Sequence, residues 1–333
     1  MRHIIMTYRN KKNRIAHYHN HKNHFLVLTF IILLIESIAW GQPQQAKKDL
    51  SCKTLRAMAR VYMAYGEYTK AQPLAEQALT LAKSKGESDS ELSMCLIDLA
   101  TLYKSLDKLL DAQIMCEQGL KLQKQVLYES HPYVAYTLRT LGSIYSEQGN
   151  YIKATNAMEK AMAIMLESHT ENDKALAPFW VDIAAIFVAK GDYKQAESYY
   201  NKAMAFINIS YGPDHLYTAN VHGNVAKLYT LQGRYDEAEE LIDRTIAKQE
   251  SIYGPEHHLV APSWLTKARI CHAKRDYSNS EKLFEKALTS VRKSGNMALF
   301  TKLEQRVEDI RANRQTISRP VAIAVDKDLT TTR

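Results

Sequence analysis

The side chains with the most chemistry to offer in this 333-residue chain are four cysteines and a recurring histidine. Cys52, Cys95, Cys116 and Cys271 form no C-x-x-C pair, the spacing that structural zinc and dithiol redox sites use. An even count would allow disulfides in an oxidising compartment. Cys116 and Cys271, however, fall where apolar side chains recur along the chain, so they read as small core residues. A Cys95–Cys116 bridge would have to span about one helical turn in height, which is long for a disulfide. His131, His215 and His257 recur in short connecting segments, the last two within Tyr211-Gly212-Pro213-Asp214-His215 and Tyr253-Gly254-Pro255-Glu256-His257. Imidazoles bind metals, but these three fall in separate structural units, so they are expected to cap and pack their loops. His17, His19, His21 and His24 form a histidine-rich tract of the kind that touches metal. There is no glycine-rich phosphate loop, no G-x-S-x-G and no H-E-x-x-H. The expectation is a chain without catalytic residues, cofactor or metal centre.

What must position anything else is a beat of about 42 residues. Tyr65-Gly66-Glu67-Tyr68, Gln148-Gly149-Asn150-Tyr151, Lys190-Gly191-Asp192-Tyr193 and Gln232-Gly233-Arg234-Tyr235 are copies of one turn, with degenerate copies at Asp107 and Arg275. Before each turn a small residue recurs (Ala59, Ala100, Gly142, Ala184, Ala226, Ala268), with an aromatic three residues later in five of the six copies and Cys271 in the sixth. Residues three and four apart share a helix face, so the small one admits a second helix and the aromatic fills the space beside it. After each turn comes another small residue: Ala71, Ala112, Ala154, Ala196, Ala238, Ser280. Asn150, Asp192 and Asp276 stand where N-caps belong. Pro73 is tolerable if Thr69 caps its helix and the proline falls in the first turn. Self-similarity at this period predicts stacked helix pairs held by nearest-neighbour contacts, an elongated array rather than one globular core.

These residues resemble the tetratricopeptide repeat. The best copy is Trp180, Ile183, Ala184, Phe187, Ala196, Tyr200 and Ala203. The longer period and the G-P-[DE]-H segments are similar to the kinesin-light-chain-like subfamily. The resemblance covers residues 50 to 293. It implies an all-α, right-handed superhelical solenoid of six antiparallel helix pairs, spanning 51–293, with a capping helix over 294–314 and a tail over 315–333. In that family the first helix of each pair lines a concave groove that binds protein. Carried over by register, the groove residues are Lys53, Arg56, Arg60, Asp98, Lys104, Tyr136, Arg139, Asp182, Asn220, Asn224, Lys227 and Arg269. The set is basic on balance, so the implied partner is a protein or peptide segment, acidic in character. Asn can grip a peptide backbone from either side, and Arg can hold a carboxylate through two parallel bonds. The Lys/Asn/Asn/Lys/Arg pattern that clamps a C-terminal carboxylate in some relatives does not appear in register.

The N-terminus reads differently. Residues 1–24 carry six basic residues and no acid, followed by an apolar run from Phe25 to Ile35 and the small-residue site Ala39-Trp40-Gly41. This is the order of a signal peptide over 1–41, with 42–50 a short polar linker. The run is short for a membrane span. The alternative is a retained anchor over 25–40, which would place the protein at a membrane. The leader carries six basic residues and one acid, so removing it lowers the net charge from +8 to +3. That leaves no concentrated basic patch, and nucleic acid is an unlikely partner. The expected location is periplasmic or secreted.

Overall fold

The computed structural model describes residues 50–168 and 173–312. The leader, most of the linker, the tail and residues 169–172 lie outside the described residues. The chain falls into two compact units, Met1–Thr54 and Leu55–Arg333. The described part of the first is residues 50–54, which include the start of helix α1 (Cys52–Ala64).

Along the second unit follow α2 (Tyr68–Lys85), α3 (Asp89–Ser105), α4 (Leu109–Val126), α5 (Pro132–Glu147), α6 (Tyr151–Ser168), α7 (Ala177–Lys190) and α8 (Tyr193–Tyr211). Then come α9 (Leu216–Gln232), α10 (Tyr235–Tyr253), α11 (Ala261–Ala273), α12 (Tyr277–Lys293) and α13 (Met297–Ala312). No strand occurs among the described residues. Consecutive helices pack as antiparallel pairs, and each second helix packs on the next first helix. Successive first helices α3, α5, α7, α9 and α11 also touch one another, which curves the stack with first helices inside. The unit is an all-α solenoid of six helix pairs closed by α13.

The spacing read from the sequence becomes packing. Ala59, Ala100, Ala184, Ala226 and Ala268 are fully buried, as are Ala71, Ala112, Ala154, Ala196, Ala238 and Ser280 facing them. At Gly142 a Cβ would press against the Ala154 carbonyl and the Met158 side chain, so glycine suits this crossing. Ser280, the polar intruder in the last pair, donates its hydroxyl to the Ala268 carbonyl at 2.9 Å. The hydroxyl thereby satisfies itself across the same crossing. The turns keep one backbone shape in all six copies: Asp107 and Arg275 take φ of 60° and 65°, close to the 71° to 81° of Gly66, Gly149, Gly191 and Gly233. An L-residue in that region costs about 1–2 kcal/mol, so the stack imposes the turn even where the sequence does not favour it.

Asp192, Asp276 and Asn150 accept backbone N–H groups three residues on, as N-caps do. The recurring histidines are caps as well. The Nδ1 atoms of His131, His215 and His257 accept the N–H groups of Tyr133, Tyr217 and Leu259 at 3.1 to 3.2 Å. All four cysteines are buried, and none forms a disulfide. Two expectations need correction. Thr69 is not a cap: α2 begins at Tyr68 behind Glu67, which places Pro73 inside the helix, where its missing N–H leaves the Thr69 carbonyl without its usual donor. Contacts are also not confined to neighbours. The buried His258 lies so close to Gly66 that an added Cβ would meet its Nε2 at 2.1 Å. Curvature of the stack brings the turn of the first pair against the segment before the last.

Candidate protein-binding groove

The first helices carry the residues that the sequence singles out, in two different states. On the early pairs they are tied to one another. Arg56 is buried and donates from Nε to Asp98 and from Nη1 to Glu91, both at 2.8 Å. Burial alone would lower this guanidinium, but Asp98 and Glu91 hold it charged. Burial raises the Asp98 carboxyl, with Arg56 and Arg60 opposing the shift. Arg60 itself is exposed, 3.9 Å from Asp98. Lys104 donates to the Ser143 hydroxyl at 2.8 Å and lies 3.7 Å from Glu147. Arg139 holds Asp182 at 2.6 Å, with its guanidinium over the Phe179 ring at 5.5 Å. The Arg56–Asp98, Lys104–Glu147 and Arg139–Asp182 partners stand 42 or 43 residues apart, and each pair joins one first helix to the next. Tyr136 lies against Phe179 with ring centres 5.4 Å apart and is partly open to water.

On the late pairs the two singled-out cations, Lys227 and Arg269, are not tied, although Lys267 of α11 pairs with Asp243. Asn220 accepts the Gln249 amide at 2.9 Å. Asn224 and Lys227 of α9 are exposed, and Arg269 of α11 is half-buried. None of these three side chains has a hydrogen-bond or ion-pair partner among the described residues. Lys227 reaches water, yet protein encloses it on several sides. That partial burial pushes its amine below the usual range, with Arg306, Arg269 and Lys302 adding repulsion. Arg269 is lowered for the same reasons, burial first and Arg306 next. Lys53 belongs to the first unit and is exposed.

Three contributors went unread in the sequence: Lys302 and Arg306 of α13, and Asp107. A cavity of about 640 Å³ is lined by Asp107, in the turn between α3 and α4, and by Thr301, Lys302, Gln305 and Arg306. Lys302 donates to Asp107 at 3.2 Å and lies 3.8 Å from Glu147. The helix that reads as a cap therefore also reaches across to the early pairs. The signal available was Lys302 and Arg306, four apart and off the apolar stripe of Phe300, Leu303 and Val307, which is buried.

The family model for the MalT-like tetratricopeptide region matches residues 42–211, half of the chain, and a second tetratricopeptide model matches 176–247 and 218–293. The chain belongs to the tetratricopeptide-repeat family. Among solved structures, this tetratricopeptide chain is similar to a Rap protein complexed with Competence and Sporulation Factor: TM-score 0.60, 13% identity, covering 86% of this chain and 80% of that one. It is similar to the apo form of RapI, at TM-score 0.53 and 16% identity, covering 78% of this chain and 89% of that one. A putative kinesin light chain repeat protein from Podosopora anserina matches at TM-score 0.45 and 20% identity, over 60% of this chain and 95% of that one. At these identities the likeness is one of fold. No curated protein sequence matches the tetratricopeptide chain. Among the described residues no helix is long and apolar enough to cross a membrane.

Proposed function

We propose that this is an exported protein-interaction scaffold, non-catalytic, that holds an acidic segment of a partner protein on its inner face. The observation that carries the reading is the group of polar and cationic side chains left without partners on α9 and α11, Asn224, Lys227 and Arg269. Side chains held on rigid helices and free of internal partners can meet a partner's backbone and carboxylates without first breaking a bond. The similarly folded Rap protein, solved complexed with Competence and Sporulation Factor, shows that a solenoid of this shape can hold another molecule. Export rests on the basic leader, apolar run and small-residue site of residues 1–41. If that run is retained instead, the same scaffold works at a membrane.

The test is affinity capture from the extracytoplasmic fraction of the native host with the tagged full chain. Asn220→Ala with Asn224→Ala should lose the partner, whereas Lys160→Ala with Lys202→Ala on second helices should keep it. Loss with the second-helix pair alone would move the site to the outer face. N-terminal sequencing of the recovered protein should begin at or near Gln42. An intact N-terminus in the membrane fraction would support the anchor.

A further inference from the structure

On the early pairs Arg56, Lys104 and Arg139 each have an acid about one repeat further on. Arg56 meets Asp98 and Arg139 meets Asp182, each through a 2.6 to 2.8 Å bond, and Lys104 lies 3.7 Å from Glu147. The same step from Lys227 on α9 lands on Arg269 of α11, a cation where the pattern supplies an acid. Helix α13 adds two more cations: Lys302 and Arg306, four apart, line the 640 Å³ cavity together with Asp107. Lys227 and Arg269 each feel Arg306 as a repelling neighbour, and Lys227 feels Lys302 as well. Lys302 alone is compensated, by Asp107 and Glu147 on the far side. Among the described residues Lys227, Arg269 and Arg306 have no ion-pair partner. Like charges held near one another destabilise the fold unless something of opposite sign completes them, and a surface with an excess of one sign concentrates counter-ions.

We infer that Lys227, Arg269, Lys302 and Arg306 form an oxyanion-binding subsite for a group of charge −2 or more. Two guanidiniums can each take two oxygens in parallel, and two ammonium groups add point charges, the donor set that suits phosphates and clustered carboxylates. The helix α13 then forms one wall of the binding site as well as closing the stack. The inference deepens the scaffold reading, on which it rests for the source of the anion. Carboxylates clustered on a partner segment and a free polyanion share this chemistry.

The experiment is calorimetric titration of the full chain, in chloride buffer of low ionic strength, with pyrophosphate and separately with tetraglutamate. Saturable binding of at least one is expected. Lys227→Gln with Arg269→Gln should weaken it at least about tenfold, since hydrogen bonds to charged groups contribute roughly 1.5–3 kcal/mol each. Arg306→Gln should also weaken it, and Lys160→Gln with Lys202→Gln should not. Removing like charges should leave the variants melting no lower than the wild type, so a lost signal is not lost folding. The bound anion should raise the wild-type melting temperature and not that of the double variant. Tighter binding of tetraglutamate assigns the subsite to a partner's side chains, and binding of pyrophosphate alone assigns it to a free polyanion. Binding of neither, or binding unmoved by the double variant, overturns the subsite. Partner capture that survives in the double variant overturns the subsite as the partner's anchor and leaves the scaffold reading standing.

Discussion

The first four pairs and the last two share one packing scheme and differ in whether the register-matched cations of their first helices are paired. In the early pairs Arg56, Lys104 and Arg139 bond to groups on the following first helix. In the late pairs Asn224, Lys227 and Arg269, on the first helices α9 and α11, have no partner among the described residues. The contrast separates two jobs that look identical on a helical wheel. A cation bonded across to the next repeat fixes curvature, whereas one left open is available to something outside the chain.

The sharpest way to break this comparison is to remove a paired cation. Arg56→Met removes the guanidinium that both the buried Glu91 and the partly buried Asp98 bond, leaving Asp98 the more distant Arg60. A loss of about 3–5 kcal/mol is expected, read by denaturant or thermal unfolding. Lys227→Gln should cost nothing measurable in the same assay, and equal losses would erase the distinction between the halves. Packing should not distinguish them. Ala184→Trp in the fourth pair and Ala268→Trp in the sixth both overfill a fully buried crossing, and each should cost about 3 kcal/mol. An unchanged melting curve for either would mean that its crossing is misplaced.

Smaller effects come from the two turns without glycine. Arg275→Gly should stabilise by about 1 kcal/mol, because glycine takes positive φ without strain. Asp107→Gly gains the same relief but loses the Lys302 ion pair, so its net gain should be smaller. Equal gains would show that Lys302 does not hold α13 to the early pairs. The smallest effect is a pH slope. Burial lowers the imidazoles of His222, His257 and His258 below their ordinary 6.5. Below that value the unfolded chain binds more protons than the native one, so stability falls as the pH drops through the window beneath 6.5. Protonation at Nδ1 also removes the His257 cap on the Leu259 N–H. His258→Gln should flatten part of this slope, and an unaltered slope would place its origin elsewhere.

Much of this was legible in the sequence because each repeat solves its packing problem locally. The turn positions at Asp107 and Arg275 could be placed by counting, since the neighbouring copies set the period. The histidine caps could be read because a ring nitrogen two residues before a bare N–H has one obvious use. The ionic ladder was harder. Taken alone, Arg56 or Arg139 looks like a solvated face, and its meaning emerges only when a residue is compared with the one a whole repeat later. Pro73 was misplaced because α2 starts without a side-chain cap, so no local signal marks its first residue. The reach of Lys302 to Asp107, across 195 residues, and the fit of His258 on Gly66 depend on accumulated curvature, which no short window of sequence contains.

That fit of His258 on Gly66 has a consequence for how such an array can change over generations. An open stack gains or sheds internal copies freely, because every junction resembles every other. Here the first turn must land on one particular imidazole several copies later. A duplication or deletion between them would carry His258 past the turn or leave it short. The contact gauges the number of repeats, so this chain is expected to vary in its side chains far more readily than in its count of units.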